Sequence, residues 1–338
     1  MMNANTCAEP GLERVDGSTA ACTPAAAAIS SWQEGPFELV YRLGSVPLFR
    51  RRLSALHLRG HFLDLPADPA ESRPPLGRLG GGVDAIVAPS HPIREPLPRL
   101  TAVDGALRYV VAQYSRHHAE LSGSLDEYLA KFGGKSRNTL KRKVRKFLDL
   151  GGGSGMREYH GPKEIVEFHR RARVVSALTY QERQLDAGLP ADPGFLDELV
   201  ALARADSVRA YLLFLRDEPI AYLCCPAVDG VLLYDYLGYD PKHADLSPGT
   251  VLQYLAFEAL FREQRFRAFD FTEGEGAHKR LFGTHETLCA DICFFPQSAS
   301  VRFWLGLHAG LDRISVRAAE GLDRLGLKSA LKRLMRRA

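Results

Sequence analysis

The strongest constraint on this chain is a change of period that begins near Val208. Three β-rich runs, "VRAYLLFLRD", "EPIAYLCCPA" and "GVLLYDYLGY", follow one another with only Asp217-Glu218-Pro219 and Val228-Asp229-Gly230 at the joints. Acid, proline and glycine at two such joints are tight-turn chemistry, so the runs predict an antiparallel meander. "DPKHADLSPGT" then leads into a helix from about Pro248 to Arg265, with Leu252, Leu255, Ala256, Ala259 and Leu260 inward. A strand "FRAFDF", a glycine-spaced loop, a short helix and a last strand "LCADICFF" complete the order β-β-β-α-β-α-β. This half of the chain is an α+β unit.

Upstream of the meander the pattern is helical. "SLDEYLAKF" sets Leu125, Tyr128, Leu129 and Phe132 on one face behind Ser124. "KSRNTLKRKVRKFLDL" follows, with Leu140, Val144, Phe147 and Leu148 as an apolar stripe, and "GGGSG" ends it. Two more helices are expected around 162–175 and 194–205. Further upstream, "FELVYR", "DAIVAP" and "ALRYVVAQYS" read as short strands between loops dense in proline and glycine. The expected organisation is a disordered tail over 1–35, a small α+β domain over 36–120, the regular unit over 121–298, and a basic amphipathic helical tail over 299–338.

Composition excludes several classes. A net charge of +4 on 338 residues is too small to imply nucleic acid, and the basic helix lacks interleaved aromatics of the kind that stack bases. No apolar stretch reaches the roughly 18 residues of a membrane span, and the N-terminus shows no signal-peptide pattern. The six cysteines form no CxxC pair, so no metal is expected and the compartment reads as a reducing cytoplasm. Two basic clusters stand out, residues 135–146 and 302–337. Each reads either as a solvated helix face or as contact with an anionic membrane surface. In the tail, Trp304, Leu307, Leu311, Ile314, Ala318, Leu322 and Leu325 recur at spacings of three and four.

Two stretches carry candidate chemistry. In "LSPGT", Ser247 suits an N-cap and Pro248 the first helical position, while Gly249 allows close approach. A helix start with unpaired N–H groups suits a pyrophosphate, so Ser247, Pro248, Gly249 and Thr250 are candidate cofactor contacts. In "FDFTEGEGAHKRLFG" the apolar run stops at Asp270, and Glu273, Glu275, His278 and Lys279 follow within ten residues. A buried strand ending in a carboxylate commonly faces a cleft. Glu273 or His278 is placed as general base, Asp270 as the group orienting it, and Lys279 as an anion or acceptor contact. The competing account is a solvated acidic turn.

Residues 124–296 resemble the GNAT-superfamily acetyltransferase domain of CelD/BcsL-type proteins, and more remotely FemAB-like peptidyltransferases. The resemblance is carried by "TYQERQLDAGLP", "EPIAYLCC", "YDYLGYDPKHADLSPGTVLQYLAFEALF" and "FDFTEGEGAHKRLFGT". It implies a mixed, mostly antiparallel sheet, splayed between the third meander strand and "FRAFDF", with an acyl-CoA in the opening; the FemAB-like resemblance further allows residues 37–115 to be a decayed second copy of this fold, although no internal repeat is visible. It also implies an acyltransferase acting on an amine or hydroxyl of a sugar, peptide or lipid acceptor such as a sphingoid base. Acetyl-CoA or a longer acyl-CoA would be the co-substrate, with no tightly bound cofactor. Tyr180, Gln181, Asp235 and Tyr236 are the candidate acceptor contacts. The usual Arg/Gln-x-x-Gly-x-Gly/Ala loop is replaced by "LSPGT", and His278-Lys279 stands where the family usually shows Tyr-Lys. The alternatives are aminoacyl transfer from tRNA and a catalytically inactive scaffold of the same fold.

Overall fold

A computed structural model describes residues 32–44, 46–151, 155–179, 188–274 and 276–324. Its strands are β1 (Trp32–Leu43), β2 (Val46–Leu58), β3 (Ala85–Pro92), β4 (Leu100–Val103), β5 (Ala106–Glu120) and β6 (Met156–Tyr159) in the first half. The second half adds β7 (Val208–Leu215), β8 (Glu218–Val228), β9 (Val231–Leu233), β10 (Tyr236–Tyr239), β11 (Ala268–Asp270) and β12 (His285–Pro296). The helices are α1 (Leu125–Ala130), α2 (Gly134–Gly151), α3 (Pro162–Ser176), α4 (Pro193–Arg204), α5 (Pro248–Glu263), α6 (Ala277–Phe282) and α7 (Ala299–Arg324). The strands run β1-β2-β3-β12-β5-β11-β9-β8-β7-β6, with β10 beside β8 and β4 beside β5.

The sheet does not stop at residue 120. β5 lies between β12 and β11, antiparallel to both, so the segments 36–120 and 121–298 share one ladder. Trp32–Gly35 begin β1, so these four residues of the expected disordered tail are in a strand; residues 1–31 lie outside the described residues. Three strands, β2, β4 and β6, were not foreseen. β2 is exposed along most of its first half and carries Arg50, Arg51 and Arg52, which leaves no alternating apolar signal to read.

The meander forms with one change. The β8–β9 turn has Asp229 and Gly230 at φ +50° and +75°, the left-handed pair that a two-residue hairpin needs. The third run, expected as one strand, divides into β9 and β10. β9 pairs in parallel with β11, Leu232 opposite Phe269, whereas β10 returns to β8, Tyr236 opposite Cys224. At the break the Tyr234 N–H donates to the Asp270 carbonyl at 2.8 Å. Gly238 sits opposite Tyr222, and a Cβ there would lie 2.5–2.7 Å from the phenol ring. Only glycine lets Tyr222 lie flat across β10. Among the described residues β10 has no strand on its far side, so the sheet opens between β10 and β11.

α5 closes one face of that opening. It is buried almost all round, by Val251, Leu252, Leu255, Ala256, Phe257 and Leu260, against Leu140, Val144 and Phe147 of α2. Each such large side chain contributes about 1.5–3 kcal/mol on burial, which fixes the start of α5 relative to the sheet. α7 packs on the N-terminal strands by a face offset from the expected stripe. Leu305, His308 and Ala309 are buried, while Ile314, expected inward, is 56% exposed. The offset follows from polar contacts: the Tyr109 hydroxyl meets His308 Nδ1 at 2.7 Å, and the Tyr41 hydroxyl donates to the Trp304 carbonyl at 3.3 Å. No helix among the described residues is long and apolar enough to cross a membrane.

His118, near the end of β5, is 7% exposed and stacks on His285 of β12 with ring centroids 5.0 Å apart. Burial, and then the neighbouring His285, push its imidazole down to about 4. The unfolded chain takes up that proton near pH 6.5, the folded chain only near pH 4, so stability is full at neutral pH and falls through this window on acidification. At most about 3 kcal/mol is at stake. Urea unfolding at pH 7.5 and pH 4.5 should show this loss, and His118→Phe should reduce it; an unchanged pH difference in the variant would assign the acid sensitivity elsewhere.

Candidate active site

A cavity of about 450 Å³ occupies the opening in the sheet. Its walls are the broken segment Tyr234–Tyr236, Leu237 and Tyr239 of β10, Tyr222 of β8, the start of α5, and His278 of α6. The start of α5 is shaped by Ser247, which adopts φ +53° and ψ +49° and does not cap the helix with its side chain, contrary to the expected hydroxyl cap. Its carbonyl instead accepts from Thr250 N at 3.0 Å and Val251 N at 3.1 Å. Pro248 has no N–H and Thr250 and Val251 donate to Ser247, so among the described residues the Gly249 N–H is the donor this turn keeps, together with the partial positive charge of a helix start. Gly249 backs onto the same wall, since a Cβ there would lie 3.2 Å from Leu237 and 3.6 Å from Tyr239.

The structure gathers seven of the sequence candidates here: Ser247, Pro248, Gly249, Thr250, Asp235, Tyr236 and His278. The His278 ring lies 5.2 Å from Tyr234; the residue is partly open to solvent, and desolvation on its packed side, together with the charge of Lys279, holds its imidazole below the ordinary value. It is therefore neutral at pH 7 and has a lone pair to offer. Asp235 leaves the ladder where β9 ends; it is open to the cavity and solvent on one side, and desolvation on the other, then the Asp270 charge, raise its carboxyl above the ordinary value. Both side chains face a space sized for a substrate.

The other candidates go elsewhere. Glu273 is exposed and lines a separate cavity with Tyr114, Arg116 and Asp291, away from α5. Lys279 is buried and donates to the carbonyls of Thr272, at 3.3 Å, and Glu273, so it ties the loop together. Asp270 is fully buried. Its carboxylate accepts from Arg116 Nη2 at 2.6 Å and Nε at 3.0–3.1 Å and from Thr272 N at 2.9 Å, and its Oδ2 lies 3.1 Å from His61 Nε2. Burial alone would raise this carboxyl; the His61 and Arg116 contacts outweigh that and hold it below its ordinary value. Among the described residues it bonds to neither Glu273 nor His278, so the expectation that it orients the base gives way to a structural ion pair. Tyr180, Gln181 and Glu275 lie outside the described residues.

Three participants were missed. His61 and Arg116 come from the N-terminal segment, whose sequence carried no chemical signal, and only the insertion of β5 beside β11 brings Arg116 to Asp270. Gln253 lines the cavity one turn into α5. Its signal was present in "VLQYLAFEALF", where it is a lone polar residue among inward apolar ones.

The model of the acetyltransferase (GNAT) domain family matches residues 134–280. Over those residues, fewer than half of the chain, the protein is similar to acyltransferases of the GNAT type. The sheet, open between β10 and β11 with α5 starting at the gap, is the GNAT fold, and the whole cavity lies inside the matched span. No curated protein matches the chain by sequence. Among solved structures, the C-terminal DUF2156 domain of a proposed lysylphosphatidylglycerol synthetase from Agrobacterium fabrum is 12% identical. That likeness covers 84% of this chain and 90% of the other, with a TM-score of 0.47. L-PGS from Bacillus licheniformis is 15% identical over 67% of this chain and 73% of its own, at 0.41. FemX is 12% identical over 76% and 88%, at 0.44. At such scores it is the family match that carries the assignment of the GNAT domain.

Proposed function

We propose that the GNAT domain transfers an acyl group from an acyl-CoA to an amine or hydroxyl of an envelope-related acceptor. The observation that carries this reading is the meeting, in one cavity, of an uncapped helix start with a neutral imidazole and a carboxylate. The helix start suits the pyrophosphate, and the thioester then extends along the cleft toward His278. The acceptor's nitrogen or oxygen attacks the thioester carbonyl as His278 takes its proton. The new C–N or C–O bond forms, the C–S bond breaks, and the CoA thiolate leaves and is protonated from solvent. Asp235 faces the same space and suits an incoming ammonium or hydroxyl. The resemblance of residues 124–296 to CelD/BcsL-type proteins favours a polysaccharide, peptide or lipid amine as acceptor.

Thermal-shift measurements with acetyl-CoA, long-chain acyl-CoA and aminoacyl-tRNA test the donor class directly. Stabilisation by an acyl-CoA alone supports the reading, and stabilisation by aminoacyl-tRNA alone replaces it. Gly249→Glu tests the placement. The new side chain starts toward Leu237 and Tyr239 and adds negative charge at the helix start, so acyl-CoA binding should weaken about tenfold or more. An unchanged dissociation constant in calorimetry removes this turn from the donor site.

A further inference from the structure

Gln253 is 1% exposed, yet its side-chain amide nitrogen has no hydrogen-bond partner among the described residues. Buried polar groups are nearly always paired, and an unpaired one weakens the fold. Its neighbours along α5, Val251, Leu252 and Leu255, are apolar and buried, so a leucine or methionine would suit the helix better. What distinguishes position 253 is that it lines the same cavity as Gly249 and His278. It stands four residues after Gly249, on the same helical face and about 6 Å further along the axis.

We infer that Gln253 reads the amide-bearing pantetheine arm of the acyl donor, the segment between pyrophosphate and thioester. The inference rests on the acyl-CoA reading above. With the pyrophosphate at the first turn of α5, the next part of the donor passes one turn deeper, and there the carboxamide nitrogen stands without a partner among the described residues. A carboxamide complements an amide: its N–H donates to the ligand's carbonyl oxygen. Because the described residues offer that N–H nothing else, a ligand lacking the carbonyl leaves it unpaired and is rejected. Gln253 is thus a specificity residue for the donor arm. His278 and the start of α5 serve the thioester and the phosphates.

The test compares wild type with Gln253→Met, and Gln253→Leu in parallel should the first fold poorly, using three probes in calorimetry. Acetyl-CoA carries both arm and pyrophosphate, S-acetylpantetheine the arm alone, and ADP the pyrophosphate alone. The expected result is about tenfold weaker binding of acetyl-CoA and of S-acetylpantetheine, unchanged binding of ADP, and a ligand-free Tm equal to or above wild type. Wild-type affinity of the variant for S-acetylpantetheine overturns the inference. Equal losses for ADP, or a lowered Tm, also overturn it, since they indicate a packing role. Wild type that binds neither thioester overturns the acyl-CoA reading itself, and that result is seen without any variant.

Discussion

Asp270→Asn is expected to unfold this protein at a much lower temperature while leaving little to learn about catalysis. The substitution leaves the Arg116 guanidinium, which is 13% exposed and donates to Asp270 through two nitrogens, facing a neutral amide inside the sheet. Removing one partner of a buried ion pair costs about 3–5 kcal/mol, because the remaining charge stays desolvated. For a chain of this size that is a fall in Tm of about 10 °C. The pair also joins β5 to β11, so its loss acts on the strand crossing that unites the N-terminal and GNAT segments. Arg116→Met alone should cost a similar amount, and Asp270→Asn with Arg116→Met should cost less than the sum of the two. Differential scanning calorimetry on the three variants decides the matter. A variant at position 270 that keeps the wild-type Tm and loses turnover would return Asp270 to the reaction.

The contrast between Asp270 and His278 marks where sequence stops being informative. The meander, the helix after "LSPGT" and the order of elements are local: turn residues and apolar spacing state them directly, and β7, β8, α5 and β11 form close to where they are expected. The break between β9 and β10 is not local. It depends on Tyr234 donating to a strand more than thirty residues away and on Tyr222 lying across Gly238. The acidic loop misleads for the same reason. Asp270, Glu273, His278 and Lys279 are neighbours in sequence, yet their side chains serve an ion pair, a second cavity, the main cavity and a loop tie respectively. Spacing along a loop says which residues are close, not which way each one turns. Gln253 is the opposite case, a residue whose apolar company already signalled that its polar end had a use.

His278→Ala is expected to lower kcat/KM by about 10²-fold with acyl-CoA binding nearly intact, the usual effect of removing a general base. Glu273→Gln, lining the other cavity, should stay close to wild type. The pH profile supplies the sign. A base must be unprotonated, so kcat/KM falls as pH drops through the His278 pKa. Desolvation on the packed side of the ring and the Lys279 charge place that pKa below 6.5. The profile should therefore be flat through pH 7 and decline only in more acid solution, and the residual activity of His278→Ala should lack this decline. Lys279→Met removes a cation beside the ring, so the acid limb should move upward toward pH 6.5, in addition to any loosening of the Thr272 and Glu273 carbonyls it holds. A limb that stays in place in both variants, or a Glu273→Gln variant that loses the activity instead, would assign the proton transfer to the acidic loop and leave His278 as one wall of the cavity.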